Sequence, residues 1–345
     1  MIKLGIKIAI LLSLAGVING AVFRFFQLPF SWGNSSFYNK ETYWRKNQTQ
    51  YNTIFVGTSR TFRQINPVLF DSITNHETQS FNFGVIGISA AQVYYYLDKI
   101  IGNREAHLKY VFLELTDFDI GSTENMHTIN EKYWLNLSDW WFTINCIVQS
   151  NYGFREKIKG LFFNTIPFIE QLLKFDMLKD VWQFKIAAPN SLVLGENSTG
   201  FVPAEEEKMN PEALLEKRNA FLKDTSINET RSRYSTNVFN KTVRTKLVSA
   251  HLIKLTSLIS RLHKMGIEVF VLLPPRMREV QYANTIPIFE NITGSPKINL
   301  ADGAQLPEFY EMRYSFDAGH LNKEGAEIFT RKLATAFIKL KSKND

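Results

Sequence analysis

The stretch Thr53-Ile54-Phe55-Val56-Gly57-Thr58-Ser59-Arg60 decides the reading of the chain. Its first four residues form an unbroken, mostly apolar run that stops at a glycine. That is the pattern of a short strand buried on both faces. Polar residues follow at once. Asn66-Pro67 then opens a helix, with Asn66 as N-cap and Pro67 at the first helical position.

Working outward, Ser80-Phe81-Asn82-Phe83 reads as a second strand that runs into Gly84-Val85-Ile86-Gly87. A helix is predicted over about 89–101, with Val93, Leu97, Ile100 and Ile101 on one face, and a third strand over Tyr110 to Leu115. Much later, 246–264 carries Leu247, Ala250, Leu252, Leu255, Leu258, Ile259 and Leu262 at amphipathic-helix spacing, with Gly266 placed to end it. Ile267 to Leu273 is a buried strand stopped by Pro274-Pro275, and a last helix spans about 323–340 behind Asn322 as cap. Strand–helix alternation with near-continuous apolar strands predicts an α/β fold, an open parallel sheet with helices on both faces.

The alternation breaks between 121 and 244. Aromatics crowd that region (Tyr133, Trp134, Trp140, Trp141, Phe142, Phe162, Phe163, Phe168, Trp182, Phe184) without a strand series. A mostly helical insertion is expected there. Its aromatics either form its own core or face a membrane, a partner or the site as a lid. The α/β domain is then 51–120 with 245–345, and 31–50 reads as a polar linker.

The N-terminus places Lys3 and Lys7 before an uncharged apolar run from Ile8 to Phe23, closed by Arg24, with Phe25 and Phe26 beside it. Residues 1–30 are expected to be a single-pass transmembrane signal anchor. The lysines put the N-terminus in the cytoplasm and the rest of the chain outside, periplasmic or on the cell surface. A cleaved signal peptide ending near Ser13-Leu14-Ala15 is the competing reading.

Composition narrows the class. The 345 residues hold 45% hydrophobic and 21% charged residues and a net charge of +7. No nucleic-acid motif or Arg/Lys-dense arm accompanies that charge, so nucleic acid is not an expected partner; the charge suits an anionic membrane or an acidic glycan, or is simply a solvated surface with a few extra lysines. Cys146 is the lone cysteine, which excludes an internal disulfide and a cysteine-based metal site. Histidines 76, 107, 127, 251 and 263 show no metal-ligand spacing, and no metal or cofactor is expected.

Open parallel sheets place their sites at the carboxyl ends of the strands, and three loops there carry chemistry. Ser59 sits between strand and helix, with its hydroxyl on the rim and its N–H placed for an oxyanion; residues of this type are also ordinary helix caps. Gly87 lets a substrate approach the backbone closely, or is a plain turn glycine. Phe316-Asp317-Ala318-Gly319-His320 can fold so that the carboxylate orients the imidazole, which then takes a serine proton; such a pair also binds metals or caps helices. Arg60, Arg63 and Arg276 lie on the same edge and suit an anionic substrate, although such arginines are ordinarily solvated or paired.

Gly-x-Ser after the first strand, glycine after the second and Asp-x-x-His before the last helix, in that order, resemble the SGNH, or GDSL-like, hydrolase family. The stretch FDAGHLNKEGAEIFTRKLA is similar to its fifth block. The resemblance implies Ser59 as nucleophile, His320 as general base, Asp317 as its orienter, and the N–H groups of Ser59 and Gly87 as oxyanion donors. Two positions depart from the pattern. Thr58 stands where the family has an acid, and Phe118 where it has an oxyanion-binding asparagine. With the N-terminal anchor, the chain looks like the DltD-type and related membrane-anchored branches. These are implied to act on ester-linked acyl groups of a cell-envelope glycan, beside a membrane-bound O-acyltransferase. The expected function is therefore an extracytoplasmic serine acyl hydrolase or acyltransferase. The alternative is a weakened SGNH-fold protein that binds an envelope glycan or an acyltransferase partner.

Overall fold

The structure is a computed structural model and describes residues 2–25, 34–102, 107–121, 134–173, 191–209 and 211–343. The chain opens with helices α1 (Ile2–Phe25) and α2 (Ser35–Asn47). Alternation follows through β1 (Thr53–Gly57), α3 (Ser59–Gln64), α4 (Pro67–Ile73), β2 (Ser80–Gly84), α5 (Ala90–Gly102) and β3 (Tyr110–Glu114). Helices α6 (Leu137–Gln149), α7 (Phe154–Leu173), α8 (Pro211–Lys223) and α9 (Ser226–Phe239) come next. The chain returns to the sheet through α10 (Ser249–Lys264), β4 (Glu268–Leu273), α11 (Glu279–Asn291) and β5 (Lys297–Asn299). A hairpin of β6 (Ser315–Asp317) and β7 (His320–Leu321) leads into α12 (Lys323–Lys341).

β1 to β5 form one parallel sheet in the order β2-β1-β3-β4-β5, with Phe55 level with Asn82 on one side and Phe112 on the other. Every residue of β1, β2 and β3 is buried, as expected of strands covered on both faces. One face is built from phenylalanine. Phe55, Phe112 and Phe270 lie side by side across three strands, and Phe70 of α4 and Phe337 of α12 close over them with centroids 4.9 to 5.8 Å apart. Contacts of this kind add about 0.5–1.5 kcal/mol each beyond area burial. The other face takes Val93 and Leu97 of α5 and Leu255, Leu258 and Leu262 of α10. The sheet's order reverses between β1 and β3. The connections leave those strands in opposite directions, so a crevice opens at their carboxyl ends.

Residues 35–47 are not a linker. They form α2, capped by Asn34, which accepts from the N–H groups of Ser36 and Phe37. Phe37, Lys40, Glu41 and Trp44 make a fully buried stripe at helical spacing. Two of those four positions are charged, which disguises the stripe in the sequence. Lys40 satisfies all three of its donors on the carbonyls of Asn82, Gly84 and Gly200, at 2.6 to 2.9 Å, and lies 4.3 Å over the Phe62 ring.

The region 121–244 is mainly helical among the described residues. It is not a separate lobe: Trp134, Phe142, Cys146 and Tyr152 join the core beneath the sheet. Phe163 is buried as well, whereas Trp141, Phe154 and Phe162 stay exposed. Tyr133, Trp182 and Phe184 lie outside the described residues.

α1 runs for 24 residues, and its described apolar side chains from Leu4 to Ile18 are exposed. Among the described residues no helix is long and apolar enough to cross a membrane. The run from Ile8 to Phe23 falls partly outside the described side chains.

Candidate active site

Ser59 is the first residue of α3, on the rim of the crevice. Its N–H therefore has no intrahelical acceptor. Thr58 caps the helix, its hydroxyl accepting from the Arg60 N–H. Gly57 and Gly84 are required by close approach: a Cβ on Gly57 would meet the Thr61 hydroxyl and the Glu114 carboxylate, and one on Gly84 would meet the backbone of Phe62.

The structure brings Ser59, His320 and Asp317 together. Ser59 Oγ lies 2.8 Å from His320 Nε2, and His320 Nδ1 lies 2.9 and 3.0 Å from the two Asp317 oxygens. The β6–β7 hairpin sets this pair, since Asp317 and His320 face each other across it. The Gly319 N–H donates to Asp317 Oδ1 at 2.6 Å and helps fix the carboxylate beside the ring. Burial works against the Asp317 carboxylate, but His320, the Gly319 N–H and the Arg63 charge outweigh it and hold its pKa well below the usual range.

Arg63, one turn along α3, also reaches the ring: its Nη1 lies 2.9 Å from His320 Nε2. A guanidinium only donates and a carboxylate only accepts. His320 is therefore the neutral tautomer with its proton on Nδ1, and its Nε2 lone pair is shared by Ser59 and Arg63. Burial and then the Arg63 charge lower the His320 pKa to about 4, with Asp317 opposing them. Glu207 holds Arg63 in place, 2.7 Å from its Nε, and both are nearly inaccessible.

Glu114 fixes the floor. At the end of β3 it accepts from the Thr58 N–H at 2.8 Å, the Thr58 hydroxyl at 3.0 Å, the Thr61 hydroxyl at 2.8 Å and Arg276 Nη1 at 2.8 Å. Burial alone would raise its pKa; Arg276, Arg60 and these donors lower it. The loop has no acid of its own at Thr58, and the acid that shapes it comes from the neighbouring strand.

Arg276 is therefore not a substrate contact. It is fully buried and committed to Glu114. Phe118 does not face the crevice either. It is buried against Tyr152, with rings 5.9 Å apart, and its N–H donates to Asp117. Beside it, the Asp117 carboxyl is pushed up to about 7 by burial, against the hydrogen bonds donated by Asn284 and Tyr152, which lower it. Gly87 sits in the exposed turn after β2 with open space over its Cα, so a ligand can approach it.

Glu114, Glu207 and the Arg63 contact were not singled out by sequence. Glu114 leaves one trace, a lone charge ending an apolar strand. Glu207 leaves none. A narrow cleft lined by Gln64, Arg231, Phe309, Asp317 and His320 reaches the site. A wider hollow lies elsewhere, between β5 and α12, ringed by Lys297, Arg331, Lys332, Lys339 and Lys343; it contains no histidine and no nucleophile–base pair. No protein-family model, curated protein or solved structure matches the chain.

Proposed function

We propose that this chain is a membrane-anchored serine acyl-transfer enzyme of the SGNH type, acting outside the cytoplasm on ester-linked acyl groups of an envelope glycan. The observation that carries the reading is the hydrogen-bonded series Ser59–His320–Asp317 on the carboxyl rim of a parallel sheet. Ser59 Oγ attacks the ester carbonyl while His320 Nε2 takes its proton. The N–H groups of Ser59 and Gly87 hold the oxyanion. The carbon–oxygen bond to the leaving alcohol then breaks, and that oxygen receives the proton from His320. Water or a glycan hydroxyl, deprotonated by His320, attacks the acyl-enzyme and frees Ser59. A neutral His320 is the state such a base needs, and its lowered pKa keeps it neutral at ordinary pH.

The exposed apolar side chains of α1 support the anchor. So does α7, which α1 touches: Phe154, Ile158, Phe162, Ile169 and Leu172 lie exposed along one side of it. A stripe of this kind suits lipid better than water, and Lys3 and Lys7 orient the N-terminus inward. The resemblance of the three loops to the SGNH blocks supplies the glycan ester as substrate class and a membrane-bound O-acyltransferase as partner.

A fluorophosphonate probe tests the chemistry. The full-length protein in detergent is expected to label, and Ser59→Ala and His320→Ala are not. An unlabelled wild type with no Ser59-dependent ester turnover would move the assignment to a glycan- or partner-binding protein that keeps the fold.

A further inference from the structure

Four buried arginines surround Ser59, and they are not equivalent. Arg63 is paired with Glu207 and Arg276 with Glu114. Arg231 donates to the Arg276 carbonyl at 2.5 Å and to Asn228 Oδ1 at 2.7 Å, but has no carboxylate partner among the described residues. Arg60 has neither: among the described residues no acceptor receives its guanidinium and no carboxylate lies within ion-pair distance. It is only 9% exposed, and its Nε is enclosed without a partner. Behind it, Arg276 Nε and Nη2 are enclosed and unpartnered as well. The acid of this cluster, Glu114, is already occupied by Arg276 and by the threonines of the nucleophile loop.

Arg60 and Arg276 thus share one saturated carboxylate, and Arg231 adds a further positive charge near Arg60. Burying a cation without a counter-charge is strongly unfavourable, and an anionic ligand would supply that counter-charge. The position defines the ligand. Arg60 follows the nucleophile directly on α3, and its charge is felt at His320. Its planar, five-donor head matches a carboxylate or phosphate, which it can grip through two parallel N–H···O bonds.

We propose that Arg60 is the contact residue of an anion subsite beside Ser59, so that the ester processed there carries a carboxylate or phosphate a few bonds from the scissile carbonyl. The inference rests on the acyl-transfer reading above and narrows its substrate to an acidic glycan. Arg276 and Arg231 act from behind, as positive charge that strengthens the hold without touching the ligand.

The test compares three acetyl esters of one sugar, neutral, carboxylate-bearing and phosphate-bearing, with the full-length protein in detergent. Wild type is expected to favour one of the acidic esters over the neutral one by about tenfold or more in kcat/KM, through KM. The better of the two acidic arms identifies the anion. Arg60→Gln is expected to erase that preference, and Arg60→Lys to restore part of it. Equal kcat/KM for all three esters in wild type overturns the subsite. So does a preference that survives Arg60→Gln, or a loss of kcat shared equally by all three, which would make Arg60 an oxyanion donor instead. Turnover that persists in Ser59→Ala defeats the acyl-transfer reading itself, whatever Arg60 does. Binding gives an independent readout: about 20 mM inorganic phosphate or acetate is expected to raise the melting temperature of wild type more than that of Arg60→Gln, and equal shifts overturn the proposal.

Discussion

The crevice around Ser59 and the outer side of α7 are mirror images in polarity. The crevice buries charge: Arg60, Arg63, Glu114, Glu207, Arg276 and Asp317 are all nearly inaccessible. α7 does the reverse and leaves Phe154 79%, Phe162 56% and Leu172 65% exposed. Folding in water disfavours both arrangements. Each therefore points to a surrounding other than water. In the crevice the low dielectric strengthens the interactions among the buried charges. Along α7 the exposed side chains are apolar, and α1 packs beside it.

The largest effect is expected from breaking the crevice at its centre. Ser59→Ala or His320→Ala lowers kcat/KM on the order of 10,000-fold, measured on any ester the wild type turns over, with the fold unchanged by circular dichroism. Replacing the floor comes next. Glu114→Gln leaves Arg276 buried without its counter-charge and is expected to cost about 3–5 kcal/mol in urea unfolding. A loss below 1 kcal/mol would show that the Arg276 pair is not what holds the nucleophile loop.

The opposite region is tested by a double change. Phe154→Ser with Phe162→Ser should weaken association with anionic vesicles by about tenfold or more, while unfolding free energy moves by no more than about 0.5 kcal/mol. A large loss of stability would instead assign those rings to the core.

The smallest effect sharpens the crevice. Its base protonates at about 4, so activity should be level at neutral pH and fall as pH drops through that value. Stability follows the same group. Unfolded His320 binds its proton near 6.5 and the folded one near 4. Its contribution is therefore complete above 6.5 and lost as pH falls toward 4. Removing the pair with Arg63→Gln and Glu207→Gln takes a cation from Nε2, and the acid limb of the rate profile should move up by less than about one pH unit. An unmoved limb would mean that Arg63 does not act on the base.

Chain-local patterns carried the strands and most helix ends. The Thr53–Gly57, Ser80–Gly84 and Tyr110–Glu114 strands are short apolar runs closed by rim residues; Asn66 and Asn322 begin helices through their side-chain oxygens, and Gly266 ends one with its left-handed backbone. The two loops of the triad were also legible, because strand–helix order alone brings carboxyl ends to one edge. Other features were not. α2 hid behind Lys40 and Glu41; the burial of Lys40 depends on carbonyls of Asn82 and Gly200, remote in sequence. The three-residue β5 is too short to show a period.

By itself, then, the sequence determined most of the strands and helices and which edge carries Ser59, Asp317 and His320, since propensity, capping and apolar period act within a few residues. Only the tertiary structure decided which charges are paired. Glu207 meets Arg63 across 144 positions and Arg276 meets Glu114 across 162, and no local signal reports such distances. That is why four arginines look alike in the sequence, and why Arg60 stands apart in the folded chain as the one whose guanidinium meets no acceptor among the described residues.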